Sequence, residues 1–147
     1  MWSVEHTAHS SASREAVWAL WANAAEWPRW NPTIADVSLD GPFAEGTTGR
    51  LKPTHGPSSA MVLRDVRPGA GFTDVARLPG AQMRVEHEVA DAPGGGSRVT
   101  ERAVLHGPLA RLWSLLLGRQ LRRDMAAGAQ ATARAAAEES GNGQAGT

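Results

Sequence analysis

Cysteine is absent from the 147-residue sequence. That excludes disulfides and thiolate metal sites, and it suits the reducing cytoplasm, which is the expected location. Neither charge sign is in excess: fifteen basic and fifteen acidic residues cancel. Nucleic acid selects a basic footprint, so no nucleic-acid partner is expected. A membrane-length apolar run is also missing. The most apolar stretch, LWSLLLG at 112–118, lies between Arg111 and Arg119. It is far shorter than the ~20 residues of a membrane span and reads as a helix face. The opening MWSVEHTAHS has no basic region leading into an apolar core, so no secretory signal is expected. There is no nucleophile-elbow motif, and the triple glycine at 94–96 joins two predicted strands instead of opening a helix, unlike a phosphate loop. His6 and His9 are three apart on a predicted strand and face opposite ways. His55 sits in the loop PTHGP, where exposure is expected, and His106 ends a strand. These spacings suit no metal, and neither metal nor cofactor is expected.

What remains is enough for one domain. A chain of this length buries roughly 68–70% of its unfolded surface without staples. Residues 2–9 alternate as a strand. Ser13 is placed to cap a helix over 14–24, with Glu15 in its first turn and Val17, Leu20, Trp21 and Ala24 at helical spacing. The segment EWPRWNP, Glu26 to Pro32, concentrates two tryptophans and two prolines. A second short helix or turn over 25–30 is predicted, because Pro32 disfavours helix at Asn31. Six short strands separated by Gly and Pro follow. From Pro108 a single long helix is predicted to about 137, on a stretch with no internal proline. The expected organisation is one ligand-binding domain over 1–137 and a disordered tail over 138–147. The fold class is α+β: a curved antiparallel sheet of about seven strands around a long C-terminal helix, with two short helices between the first two strands.

Met83, Val85, His87 and Val89 alternate with Arg84, Glu86 and Glu88, so the first set shares one sheet face. Leu78-Pro79-Gly80-Ala81 reads as a type II turn. If Leu78 faces Ala81, then Phe72 faces His87, Asp74 faces Val85, and Asp74 becomes a diagonal neighbour of His87. A one-residue slip would reverse this. Glu101 and Arg102 take opposite faces of the last strand, and which one points inward is left open. On the long helix, Leu109, Leu112, Trp113, Leu116, Leu117 and Gln120 share a stripe that Asp124, Ala127 and Ala131 continue. The large residues are expected to pack deeply and the alanines to lie close to the sheet. A sheet gripped by such a helix leaves an apolar pocket, and Trp27 and Trp30 can seal its corner. The candidate ligand-binding set is Trp27, Trp30, Met61, Leu63, Phe72, Asp74, Met83, Val85, His87, Trp113, Leu116 and Gln120. His87 could act as acid or base near neutral pH, oriented by Asp74.

WSVEHTAHSSASREAVWALWANAAEWPRWNP resembles the opening of the SRPBCC superfamily, the START-like helix-grip proteins of polyketide cyclase/dehydrase and lipid-transport type. LDGPFAEGTTGRLKP resembles the next hairpin of that family. GGGSRVTERAVLHGPLARL resembles its last strand and helix start. The likeness covers roughly residues 2–135. It implies a deep cavity between sheet and C-terminal helix for a hydrophobic small molecule, in a carrier, a sensor or a cyclase. The cyclase members orient a polyketide with polar cavity residues, often arginine and tyrosine. Tyrosine is absent here, and strand alternation sends Arg77 and Arg84 outward.

Overall fold

The computed structural model describes residues 1–145, with side chains to Gly141. The chain runs β1 (Trp2–Ser10), α1 (Arg14–Ala22), a 3-10 turn (Ala24–Glu26), α2 (Trp27–Trp30), then β2 (Ile34–Leu39), β3 (Thr48–Pro53), β4 (Ser59–Arg67), β5 (Gly71–Leu78), β6 (Ala81–Asp91), β7 (Ser97–His106) and α3 (Ala110–Ala145). The strands form one antiparallel, curled sheet in the order β1-β7-β6-β5-β4-β3-β2. β1 pairs with β7, and the crossover through α1 and α2 carries the chain from that edge strand to β2 at the opposite edge. α3 lies across the β1–β7 end of the sheet, and Ser10 Oγ ties it down by donating to the Ala133 carbonyl at 2.7 Å.

Local chemistry sets each boundary. Ser13 caps α1 by accepting from the Ala16 amide at 3.2 Å. Val17, Leu20 and Trp21 form the buried face of that helix. After α2, Asn31 Oδ1 accepts from both the Thr33 amide (3.0 Å) and the Thr33 hydroxyl (2.8 Å), turning the chain into β2. The β5–β6 hairpin has the expected register: Leu78 opposite Ala81, Asp74 opposite Val85 and Phe72 opposite His87. Gly80 takes φ 69° there, the conformation a type II turn reserves for glycine.

One expectation about the C-terminal helix is corrected in part. Three leucines of the expected stripe are not packed deeply: Leu109, Leu112 and Leu116 are 42%, 49% and 65% exposed. Of the expected stripe, Trp113 and Leu117 do meet the sheet, and with Leu121 and Met125 they join Leu105 and Ala103 in one cluster. The helix runs on to Ala145, into the segment 138–147 expected from the sequence as a tail. No proline interrupts it, adding a residue to a formed helix costs little, and Glu139 is ion-paired with Arg29 of α2. Residues 146 and 147 of that tail lie outside the described residues.

The buried apolar residues fall into two clusters. One joins α1 and α2 to β4, β5 and the alanine-rich end of α3. The other joins β1 and β7 to the first half of α3. The space between them is the candidate site.

Candidate functional site

A cavity of about 220 Å³ opens between the sheet and α3. This is several times the ~30 Å³ share of one water, and it sits below the ~300–1,000 Å³ of pockets for drug-sized ligands. Its sheet wall contains Phe72, Asp74, Met83, Val85, His87 and Glu101. α3 contributes Leu117, Gln120, Leu121 and Asp124, and the corner contributes Trp21, Trp27, Trp30 and Asn31. The loop His55–Pro57 stands at the mouth, its residues exposed.

Trp27, Trp30, Phe72, Asp74, Met83, Val85, His87 and Gln120 therefore line the cavity as expected from the sequence. Four others do not. Met61 and Leu63 are enclosed in the cluster around Phe72 and Trp27, where the helical corner covers β4. Trp113 turns to the β5–β6 turn, its indole donating to the Pro79 carbonyl at 2.8 Å. Leu116 faces outward. The indoles of the corner line one side: Trp27 is buried and donates to the Trp21 carbonyl at 2.9 Å. Trp30 lies half-buried beside the cavity, with its indole N–H enclosed and unpartnered.

The polar centre spans three adjacent strands. His87 on β6 is hydrogen-bonded through Nε2 to Asp74 Oδ2 at 3.0 Å. Its Nδ1 lies 3.1 Å from Glu101 Oε1 on β7, within ion-pairing range but off the line of the ring N–H. The β6–β7 register sets His87 directly opposite Glu101, and this decides the orientation the sequence left open. Arg102 points the other way, to Glu5 and Glu86. The imidazole face stacks on Phe72 (4.2 Å between centroids, 7° between planes), and Trp21 meets it edge-on at 5.7 Å. Only 12% of the His87 side chain and 4% of that of Glu101 reach solvent. Burial alone would push the imidazole pKa down. The hydrogen bond to Asp74 and the contact with Glu101 outweigh it and lift the pKa to about 9. The ring is therefore an imidazolium at neutral pH, and a cation over Phe72 adds attraction of its own.

Glu101 was the residue that sequence reasoning did not place. Its signal was alternation within β7: Val99, Ala103 and Leu105 are wholly buried, and Glu101 shares their parity. Its second oxygen, Oε2, is enclosed and without a hydrogen-bond partner. It occupies the notch left by Gly128 of α3, where an added Cβ would lie 2.4 Å away. A helix-interior glycine ordinarily costs about 1 kcal/mol relative to alanine. Here Gly128→Ala is expected to force the Glu101 carboxylate aside, so that the propensity gain is offset and His87 titrates at a lower pH than in the parent. NMR titration of the His87 ring beside urea unfolding would measure both effects.

Along α3, Asp124 also faces the cavity, and its burial raises its pKa, against the lowering effects of Gln120 and His55. Gln120 donates its amide to the His55 carbonyl, which latches the mouth loop to the helix.

The sequence matches, over residues 1–137, the family described as "Polyketide cyclase / dehydrase and lipid transport". No curated protein matches it. Among solved structures, the di-domain ARO/CYC StfQ from the steffimycin biosynthetic pathway is similar, with a TM-score of 0.76 at 14% identity, covering 95% of this chain and 51% of that one. The present chain thus spans about half of that di-domain protein. Norcoclaurine synthase from Thalictrum flavum superposes with a TM-score of 0.70 at 12% identity, covering 90% of this chain and 84% of the synthase. A START superfamily protein from Mycobacterium smegmatis gives 0.62 at 14% identity, covering 81% and 88%. At these identities the structural likenesses speak to fold alone. The matched profile, together with the seven-stranded sheet and its gripping helix, establishes that the chain belongs to the polyketide cyclase/dehydrase and lipid-transport family, within the START-like SRPBCC superfamily.

Proposed function

We propose that the chain binds a compact hydrophobic molecule, lipid- or polyketide-like, in the cavity between sheet and α3, and carries or senses it without transforming it. The observation that supports binding over catalysis is the way His87 is held. One ring nitrogen faces Asp74, the other faces Glu101, and one ring face is covered by Phe72. Both ring nitrogens are thus turned towards carboxylates of the protein itself. The groups left for recognition are the unpartnered indole N–H of Trp30 and the apolar wall of Met83, Val85, Leu117 and Leu121. Apolar lining with a few convergent polar groups is the ordinary composition of a small-molecule site.

Native mass spectrometry of freshly purified protein is expected to show a retained apolar mass that Trp30→Ala diminishes. A bare mass, together with no change in tryptophan fluorescence when a fatty acid or anilinonaphthalene sulfonate is added, would overturn the reading. A second reading has one observation in its favour. At neutral pH His87 is protonated beside a cavity, which is the state required of a general acid in a cyclisation or dehydration. Under that reading, His87→Gln abolishes turnover of a polyketide-like substrate while the fold persists. Unchanged turnover would eliminate it.

A further inference from the structure

The first turns of α3 present a surface that the cavity does not explain. Leu112, Leu115 and Leu116 are about half exposed or more, and Leu109 lies beside them over the β5–β6 turn. On a helix, 112, 116 and 120 follow one another at intervals of four and form one row. That row runs from two exposed leucines to Gln120, which lines the cavity and latches the mouth loop. Arg111, Arg119, Arg122 and Arg123 are exposed around the row. No acidic residue occurs between Pro108 and Arg123, and none of these four arginines makes an ion pair among the described residues. The segment is an amphipathic helix face with leucines in the middle, cations around them, and nothing among the described residues covering it.

We infer that this face docks on an anionic lipid bilayer, with Leu112, Leu115 and Leu116 entering the acyl boundary and the arginines resting among the headgroups. Cationic helix faces with a leucine core lie in the plane of such interfaces, and each basic residue near an anionic leaflet adds attraction. Charge complementarity selects the bilayer over a second copy of the chain, since pairing two such faces would bring eight arginines together without a counter-charge. Docked in this way, the helix row places the cavity mouth at the lipid surface, so an apolar ligand could pass between bilayer and cavity without crossing water. The docking rests on the helix surface alone. Only this use of it rests on the proposed ligand-binding reading.

The test is co-sedimentation of the full chain with vesicles of phosphatidylcholine alone and of phosphatidylcholine with about a third phosphatidylglycerol. Binding is expected to the anionic vesicles and to fall at least tenfold in Leu112→Ser/Leu115→Ser/Leu116→Ser. In Arg119→Gln/Arg122→Gln/Arg123→Gln it is expected to fall comparably and to lose its salt dependence. All six positions are exposed, so unfolding midpoints should match the parent and confirm that the variants are folded. Failure to bind anionic vesicles, equal binding by the parent and the leucine variant, or a concentration-dependent dimer abolished by the leucine variant would each overturn the proposal. Retention of an apolar mass by the leucine variant in native mass spectrometry separates loss of docking from loss of ligand binding.

Discussion

Raising the pH from 6.5 to well above 9 is expected to destabilise the fold by about 3 kcal/mol, and His87→Gln should remove that dependence. The sign follows from the direction of the shift. The folded state holds the His87 proton with a pKa of about 9, against 6.5 for an unperturbed imidazole. The stabilisation is therefore complete below 6.5 and is lost as the pH climbs through 9. Each pKa unit corresponds to about 1.4 kcal/mol, which sets the magnitude. The composition makes the measurement unusually clean. There is no cysteine and no tyrosine, lysine occurs once, and the variant keeps the four other histidines, so the difference between the two profiles isolates His87. Urea unfolding at several pH values, with the parent and the variant side by side, would read the effect. A flat parent profile would mean that the carboxylates do not hold the proton, and the electrostatic account of the site would fall.

Replacing Phe72 by alanine should cost about 3–5 kcal/mol, the usual range for removing a fully packed aromatic ring. Phe72 is 1% exposed. It stacks on His87 on one side and on Trp27 at 5.7 Å on another, while Trp21 and Phe43 meet it edge-on at 5.6 and 5.0 Å. The ring thus joins the sealing corner to the charged centre. Its loss removes area, aromatic contacts and the apolar surface over which the imidazolium rests. A loss below about 1 kcal/mol in denaturant would show that the cluster repacks around the gap. Phe72→Leu, which keeps most of the volume, should cost less than half as much.

The parts of this molecule that were legible in the sequence are those governed by a local rule. Ser13 announced the first helix. The Pro-Gly turn at 79–80 set the β5–β6 register, and that register alone brought Asp74 beside His87. The alternation of Met83, Val85 and His87 gave the cavity wall. Illegible were the features set by which distant element covers which surface. Met61 and Leu63 carry the same inward signal as Met83, and only the position of the helical corner over β4 hides them from the cavity. Leu116 carries the same helical signal as Leu117, yet a rotation of 100° about the axis places one in solvent and the other against the sheet. Glu101 had a parity, but the face was assigned only once β7 paired with β6. Gly128 had no signal, because the need for a notch arises from a carboxylate on another element.

The latch between Gln120 and His55 separates two kinds of work within one chamber. The ionic centre of Asp74, His87 and Glu101 is built into β5, β6 and β7, in the middle of the sheet. The mouth is bordered by a short connection between β3 and β4 near the sheet's far edge, which the Gln120 amide joins to α3. Insertions or exchanges in that connection should accordingly reshape the mouth of the cavity while leaving the ionic centre, held on other strands, undisturbed.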